Sequence, residues 1–233
     1  MVKEYKAMEI VEGYTLKTTP IDDYIGLSED WLLLEACANT TFFLSWSWIG
    51  TWLESCPSDV DVFSVHYKGE LVALSLLCKS DFSNWKRASS RRLHINQTGD
   101  PVLDQVWTEY NGLLCSYVHE VQAHQLLMAY LIEHYPNWDE LQIGAVTKGL
   151  AKLLHESSSL TRLDLWSSPS YGVDLDSLKE RKLNFLDSLS RNTRYQIRRS
   201  LKLYSELGGV CLEFAQTESD ALMFFEEIAP LHL

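Results

Sequence analysis

Arg191, Arg194, Arg198 and Lys202 recur at intervals of three or four residues within the segment SLSRNTRYQIRRSLKLYSELGG. On a helix this spacing puts the four cations on one stripe, with Ile197, Leu201 and Tyr204 on another. Guanidinium forks suit phosphate and carboxylate oxygens, so the stripe is a candidate ligand-binding surface for an anionic group. The competing reading is a solvated or salt-bridged cationic face over a buried apolar seam. The signatures of nucleophilic, metal-assisted and nucleotide chemistry do not occur: there is no GxSxG, HExxH, P-loop or GxGxxG. His119 and His124 lie five apart and so share no helix face, and Cys115 with His119 is a lone i, i+4 pair. A metal site needs three or four ligands, so no metal is expected. The catalytic residues, including any general base, are not identifiable from residue types alone.

The aromatic group Phe42, Phe43, Trp46, Trp48 and Trp52 could line a pocket, but side chains that bury so much area more often fill a core. The five cysteines, Cys37, Cys56, Cys78, Cys115 and Cys211, are odd in number, widely spaced and without a CxxC pair. They suggest neither a disulfide framework nor zinc, and they read as reduced core residues.

Charge is distributed unevenly. Between Lys179 and Lys202 there are eight basic residues against two acidic ones, within a chain whose net charge is −12. The rest of the chain therefore carries 12 basic and 30 acidic residues. A polyanion would be repelled everywhere outside one helix, so nucleic acid is not an expected partner. The uncharged run from Ala36 to Leu53 contains Asn39, Thr40, Thr41, Ser45, Ser47 and Thr51, which is too polar for a membrane span, and it reads as a buried helix. The start, MVKEYKAMEI, mixes charges of both signs without an apolar stretch, so no leader is expected and the cytoplasm is the expected compartment.

The elements that must position the stripe follow from periodicity and turn chemistry. Helical segments run from Asp23 to Ser55, with Ser28 as a candidate N-cap and Pro57 as the stop. DVFSVHYKGELVALSLLCKS holds two β-branched runs joined by Lys68-Gly69, the spacing of a tight hairpin, with Val62–Tyr67 facing Leu71–Leu77. RRLHIN is a third strand, closed by Gly99, Asp100 and Pro101. A helix is expected from His119 to Tyr135, then strand ELQIGAV, helix LAKLLHE and strand LTRLDLW. From Asp174 onward the pattern gives helix DSLKERKLNFLDSL, helix NTRYQIRRSLKLYSEL stopped by Gly208-Gly209, strand VCLEFAQ, and a helix opened by Thr217 and Asp220. The expected fold class is mixed α/β (α+β).

The segment from Tyr171 to His232, with its serine-containing helix end, arginine-rich helix, Gly turn, strand and helix ending in Leu-His, resembles the opening of the acyltransferase domain in CelD-like, BioF-associated members of the GNAT superfamily. TTFFLSWSWIGTWLES, VFSVHYKGELVALSLL and RRLHINQTGDPVLDQVWTEYNGLL are similar to that family's N-terminal half. NTRYQIRRSLK is also similar to a segment of the Fem-type peptidyltransferases, which share a tandem arrangement of two GNAT domains.

The resemblance implies a GNAT-like mixed sheet flanked by helices over residues 1–168, and the beginning of a second, acyltransferase domain over residues 169–233, apparently truncated. It implies an N-acyltransferase moving an acyl group from acetyl-CoA or another acyl-CoA to a small-molecule amine acceptor, the amine attacking the thioester directly. It also implies a Q/R-x-x-G-x-G/A turn whose backbone N–H groups cradle the pyrophosphate. No such turn occurs in these residues, so the CoA site is expected to lie outside them. A non-catalytic module that docks an anionic ligand or a partner protein, and a Fem-type aminoacyl transferase, are the alternatives.

Overall fold

The computed structural model describes residues 8–232 apart from residues 12, 39, 57–58, 84–88, 107 and 136. The chain is mixed α/β and divides into two units, Met1–Asp164 and Leu165–Leu233. No helix among the described residues is long and apolar enough to cross a membrane.

The first unit is built on one mixed sheet. Its strands are β1 (Met8–Val11), β2 (Tyr14–Pro20), β3 (Val60–Tyr67), β4 (Glu70–Ser83), β5 (Ser89–Ile95), β6 (Leu114–Cys115) and β7 (Glu140–Gln142). They run in the order β1-β2-β3-β4-β5-β7, with β6 also paired to β4. All pairings are antiparallel except β5 with β7. The expected hairpin is present, with Val62 opposite Leu76 and Tyr67 opposite Glu70. Lys68 and Gly69 both take positive φ, 51° and 88°. A two-residue turn of that hand matches the twist of the strands it joins.

Alternation along the strands sends one set of side chains to each face of the sheet. On one face α1 (Tyr24–Glu35) and α2 (Trp46–Ser55) bring Leu27, Trp31, Leu34 and Ile49 onto Val60, Leu74, Leu76 and Cys78. On the other, α3 (Glu120–Glu133) packs Leu126, Leu127 and Leu131 against Phe63, Val65, Leu77 and Leu93. A fourth helix, α4 (Lys148–Glu156), follows β7.

Several local expectations change. The first helix begins at Tyr24 and is capped by Asp23, whose carboxylate accepts from Gly26 N, rather than by Ser28. The uncharged run is not one helix: α1 ends at Glu35, a 3-10 turn occupies Phe42–Leu44, and Ser45 caps α2. Pro57 lies outside the described residues. The β1-β2 hairpin was not expected at all; β2 pairs with β3 along its whole length, from Tyr14 opposite Tyr67 to Pro20 opposite Asp61.

In the second unit the helices are α5 (Leu175–Glu180), α6 (Phe185–Ser188), α7 (Arg191–Leu207) and α8 (Glu218–Ile228). The single helix expected from Asp174 is broken where Lys182 takes φ 51° and Asn184 caps a new turn. The segments at 160–166 and 210–216, expected as strands, lie in no ladder. Leu163, Trp166, Leu212 and Phe214 are all at least two-thirds exposed there, so the apolar alternation has nothing among the described residues to pack on.

Candidate functional site

α7 is set up by its own termini. Ser190 caps the start, its hydroxyl accepting from Thr193 N, and Gly208 N closes the end on Tyr204 O. The helix carries the four expected cations on one stripe, but their surroundings differ. Arg194 is half-buried, with Nη1 3.3 Å from Asp187 Oδ1 and Nη2 3.5 Å from Leu189 O. Lys202 lies 4.0 Å from Glu206, one turn on. Arg191 and Arg198 are exposed, and no carboxylate among the described residues lies within ion-pair distance of either. Arg191, Asn192 and Tyr195 line an open hollow of about 360 Å³. The stripe therefore splits into a tethered arginine and two unengaged ones.

The opposite face differs from expectation. Ile197 is half-buried, but Leu201 and Tyr204 are 46% and 64% exposed, so no sealed apolar seam lies under the stripe among the described residues.

The start of α7 does not build a cradle for the pyrophosphate of an acyl-CoA. Such a cradle needs converging backbone donors at a helix start. At the start of α7 the Thr193 N–H is already taken by Ser190 Oγ, which also lies 2.8 Å from Thr193 Oγ1. What α7 offers an anion is side-chain charge and donors, screened by solvent. No acyl-transfer step is assigned to any residue here.

A second polar constellation, in the sheet, was not foreseen. β4 pairs with β5 from Leu77 to Ser83 but with β6 at Ala73 and Leu74, so the sheet must part between β5 and β6. Asn96, completely buried with φ 50°, fills the parting. Its Oδ1 accepts from Leu76 N at 2.9 Å, and its Nδ2 donates to Asn111 Oδ1 at 2.9 Å and Gly112 O at 2.8 Å. Asn111 in turn donates to Ile95 O at 2.7 Å. The Asn96 amide uses its oxygen and both its N–H groups within the fold, and the cluster joins the diverging strands. The signal was the pair of asparagines in LHINQTGD and TEYNGLL, polar residues set among strand formers.

Beside it, Ser80 Oγ and His94 Nε2 are 2.8 Å apart, the contact of a nucleophile with its base. Gly99 closes over them: a Cβ there would lie 2.3 Å from His94 Nε2 and 2.6 Å from Ser80 Oγ. With φ 80° at Gly99 and Asp104 holding both Thr98 N and Gly99 N, the turn covers the pair, which is structural. Burial lowers the pKa of His94 and keeps the ring neutral.

The remaining candidates divide between core and surface. His124 Nδ1 donates to Glu120 O at 2.8 Å while Nε2 accepts from Leu113 N at 3.3 Å, and burial lowers its pKa. His119 Nδ1 bonds Tyr14 OH at 2.7 Å. No group of metal-ligating side chains occurs among the described residues. Trp46, Trp48 and Trp52 pack on the cluster around Trp31 and Ile49, while Phe42 stays 63% exposed. Of the cysteines only Cys78 and Cys115 are buried; Cys37 and Cys211 are exposed, so not all five are core residues.

Comparison of the chain with protein-family models, with curated proteins and with solved structures gives no match.

Proposed function

We propose that this chain is an anion-docking portion of a cytoplasmic N-acyltransferase of the GNAT type, in which α7 holds a phosphate of the acyl-CoA or a carboxylate of the small-molecule amine acceptor. The acyltransferase reading rests on the resemblance of the segment from Tyr171 to His232 and of the hairpin about Lys68-Gly69. The docking role rests on one observation: Arg191 and Arg198 stand on one exposed stripe of α7 with no carboxylate partner among the described residues, and Arg191 lines a hollow with Asn192 and Tyr195. Two unpaired guanidinium groups on one rigid helix face are arranged to clamp a multivalent anion. Acyl transfer itself requires a preorganised cofactor cradle, which is proposed to be supplied by residues other than these.

Titration of the chain with inorganic pyrophosphate, followed by NMR, tests the docking role. The expected result is movement of the Arg191, Asn192, Tyr195 and Arg198 signals, with affinity weakened roughly tenfold in Arg191→Ala/Arg198→Ala. Unmoved α7 signals, or equal affinity in the double variant, would refute it. A saturable effect of acetyl-CoA on acceptor acylation would favour the acyltransferase over a non-catalytic binding module, which binds anions with no acyl-CoA effect.

A further inference from the structure

α7 is a 17-residue helix that is strongly amphipathic yet of low overall hydrophobicity. Its cations Arg191, Arg194, Arg198 and Lys202 hold one side, while Ile197, Leu201 and Tyr204 recur at helical spacing on another, and Leu207 extends that row from Tyr204 by one further turn. Ile197 is half-buried; Leu201, Tyr204 and Leu207 are exposed, the last two over most of their surface. Apolar side chains left in water along a row of cations call for a partner that offers an apolar layer and negative charge together.

We propose that α7 docks the chain on an anionic phospholipid surface, lying in the plane of the membrane with Leu201, Tyr204 and Leu207 in the boundary between headgroups and acyl chains. The arginines and Lys202 then reach the lipid phosphates, their aliphatic stems running along the apolar boundary and their charges remaining in the headgroup layer. The helix lies on the bilayer and does not cross it: no helix among the described residues is long and apolar enough to do so.

Charge complementarity selects this partner. The stretch from Lys179 to Lys202 holds eight basic residues against two acidic ones, and one of those acids, Asp187, is engaged by Arg194. Nucleic acid would supply the negative charge without the apolar layer. A second α7 would supply the apolar row but set like charges against one another. The approach to α7 repeats the same mixture: Lys179, Arg181 and Lys182 are followed by Leu183 and Phe185, both exposed. Cations and apolar groups spread over two successive segments suit a fluid plane, which needs no shape complementarity, better than the fixed groove of a folded protein.

Sedimentation of the full chain with vesicles tests this, comparing phosphatidylcholine alone with phosphatidylcholine containing phosphatidylserine. The expected result is affinity at least roughly tenfold higher for the anionic vesicles, weakened by salt. Tyr204→Gln/Leu207→Gln keeps the charge and the helix-forming tendency, and should lower that affinity roughly tenfold by removing apolar insertion; circular dichroism checks that the helix content is unchanged. Arg191→Ala/Arg198→Ala should lower it by a similar factor. Inorganic pyrophosphate separates this role from the docking of a soluble ligand, because Tyr204→Gln/Leu207→Gln leaves the hollow lined by Arg191, Asn192 and Tyr195 intact and should keep its response. Vesicle binding without any pyrophosphate response would remove the soluble-ligand reading and leave the membrane surface standing. Equal affinity for neutral vesicles, vesicle binding unchanged in Tyr204→Gln/Leu207→Gln, or no vesicle binding by a chain that light scattering shows to cover this face with a second copy would each overturn the proposal.

Discussion

The two units obey the same sequence rules and arrive at opposite states of burial. In the first, Trp31, Phe63, Leu16 and Leu127 are completely buried on the two faces of one sheet. In the second, no described residue is buried, although α7 and α8 are amphipathic and well capped. α8 opens with a reciprocal capping box, Thr217 Oγ1 accepting from Asp220 N and the Asp220 carboxylate from Thr217 N. Local signals therefore suffice to place a helix, while tertiary burial decides what it contributes to stability. A surface with little burial beneath it also leaves its charges in water, where they are available to a ligand. That contrast is the physical basis for proposing a ligand surface on α7 rather than in the sheet.

The contrast breaks most easily in the packed interior of the first unit. Trp31 is fully buried and its Nε1 donates to Leu44 O at 2.8 Å, so Trp31→Ala should cost about 3–5 kcal/mol in chemical denaturation. Asn96→Ala should cost about 2–4 kcal/mol, because it strands Leu76 N and Gly112 O and leaves an alanine at positive φ. A loss below about 1 kcal/mol would show that the strand parting is not held by this amide.

Acidification sharpens the same point. His94 and His124 have pKa values lowered by burial, below the ordinary value near 6.5. Between the lowered folded values and the unfolded value the unfolded chain binds more protons, so stability falls as pH drops below about 6.5. Protonation of His124 on Nε2 would also set a donor against Leu113 N. Denaturation midpoints at pH 7.5 and 5.5 should differ in wild type and differ less in His124→Gln, and a pH-independent midpoint would contradict the assignment.

The smallest effect belongs to the second unit. Leu201→Ala, at a half-exposed site, should change stability by no more than about 0.5 kcal/mol, and amides of α7 should exchange with solvent well before those of β3 and β4. A loss of several kcal/mol would mean that Leu201 is covered in solution.

Much of this architecture was legible in the residues. The Lys68-Gly69 hairpin, β5, α3, α4, α7 and the capping box at Thr217 each carry a local signal that the structure keeps. What was not legible depends on partners distant in sequence. β2 has only Tyr14, Leu16 and Thr18 to mark it, and its identity comes from pairing with β3 more than forty residues away. LTRLDLW and VCLEFAQ have the composition of strands, yet strand character is a property of pairing, and neither segment is in a ladder. Among the site residues, the spacing of Arg191, Arg194, Arg198 and Lys202 gave the stripe. It could not reveal that Asp187 and Leu189 hold Arg194 while Arg191 and Arg198 stay open, since that depends on how the short turn of α6 folds back. Nor could spacing show that Gly99 seals Ser80 and His94.

Calorimetric titration of the chain with acetyl-CoA tests the central claim most directly. With α7 offering screened side-chain charges and no backbone cradle, the expected result is weak binding, with Kd in the ~millimolar range, further weakened by salt and by Arg191→Ala/Arg198→Ala. Stoichiometric micromolar binding that survives the double substitution would contradict it, because the cofactor site would then already be complete within these residues and would not be on α7.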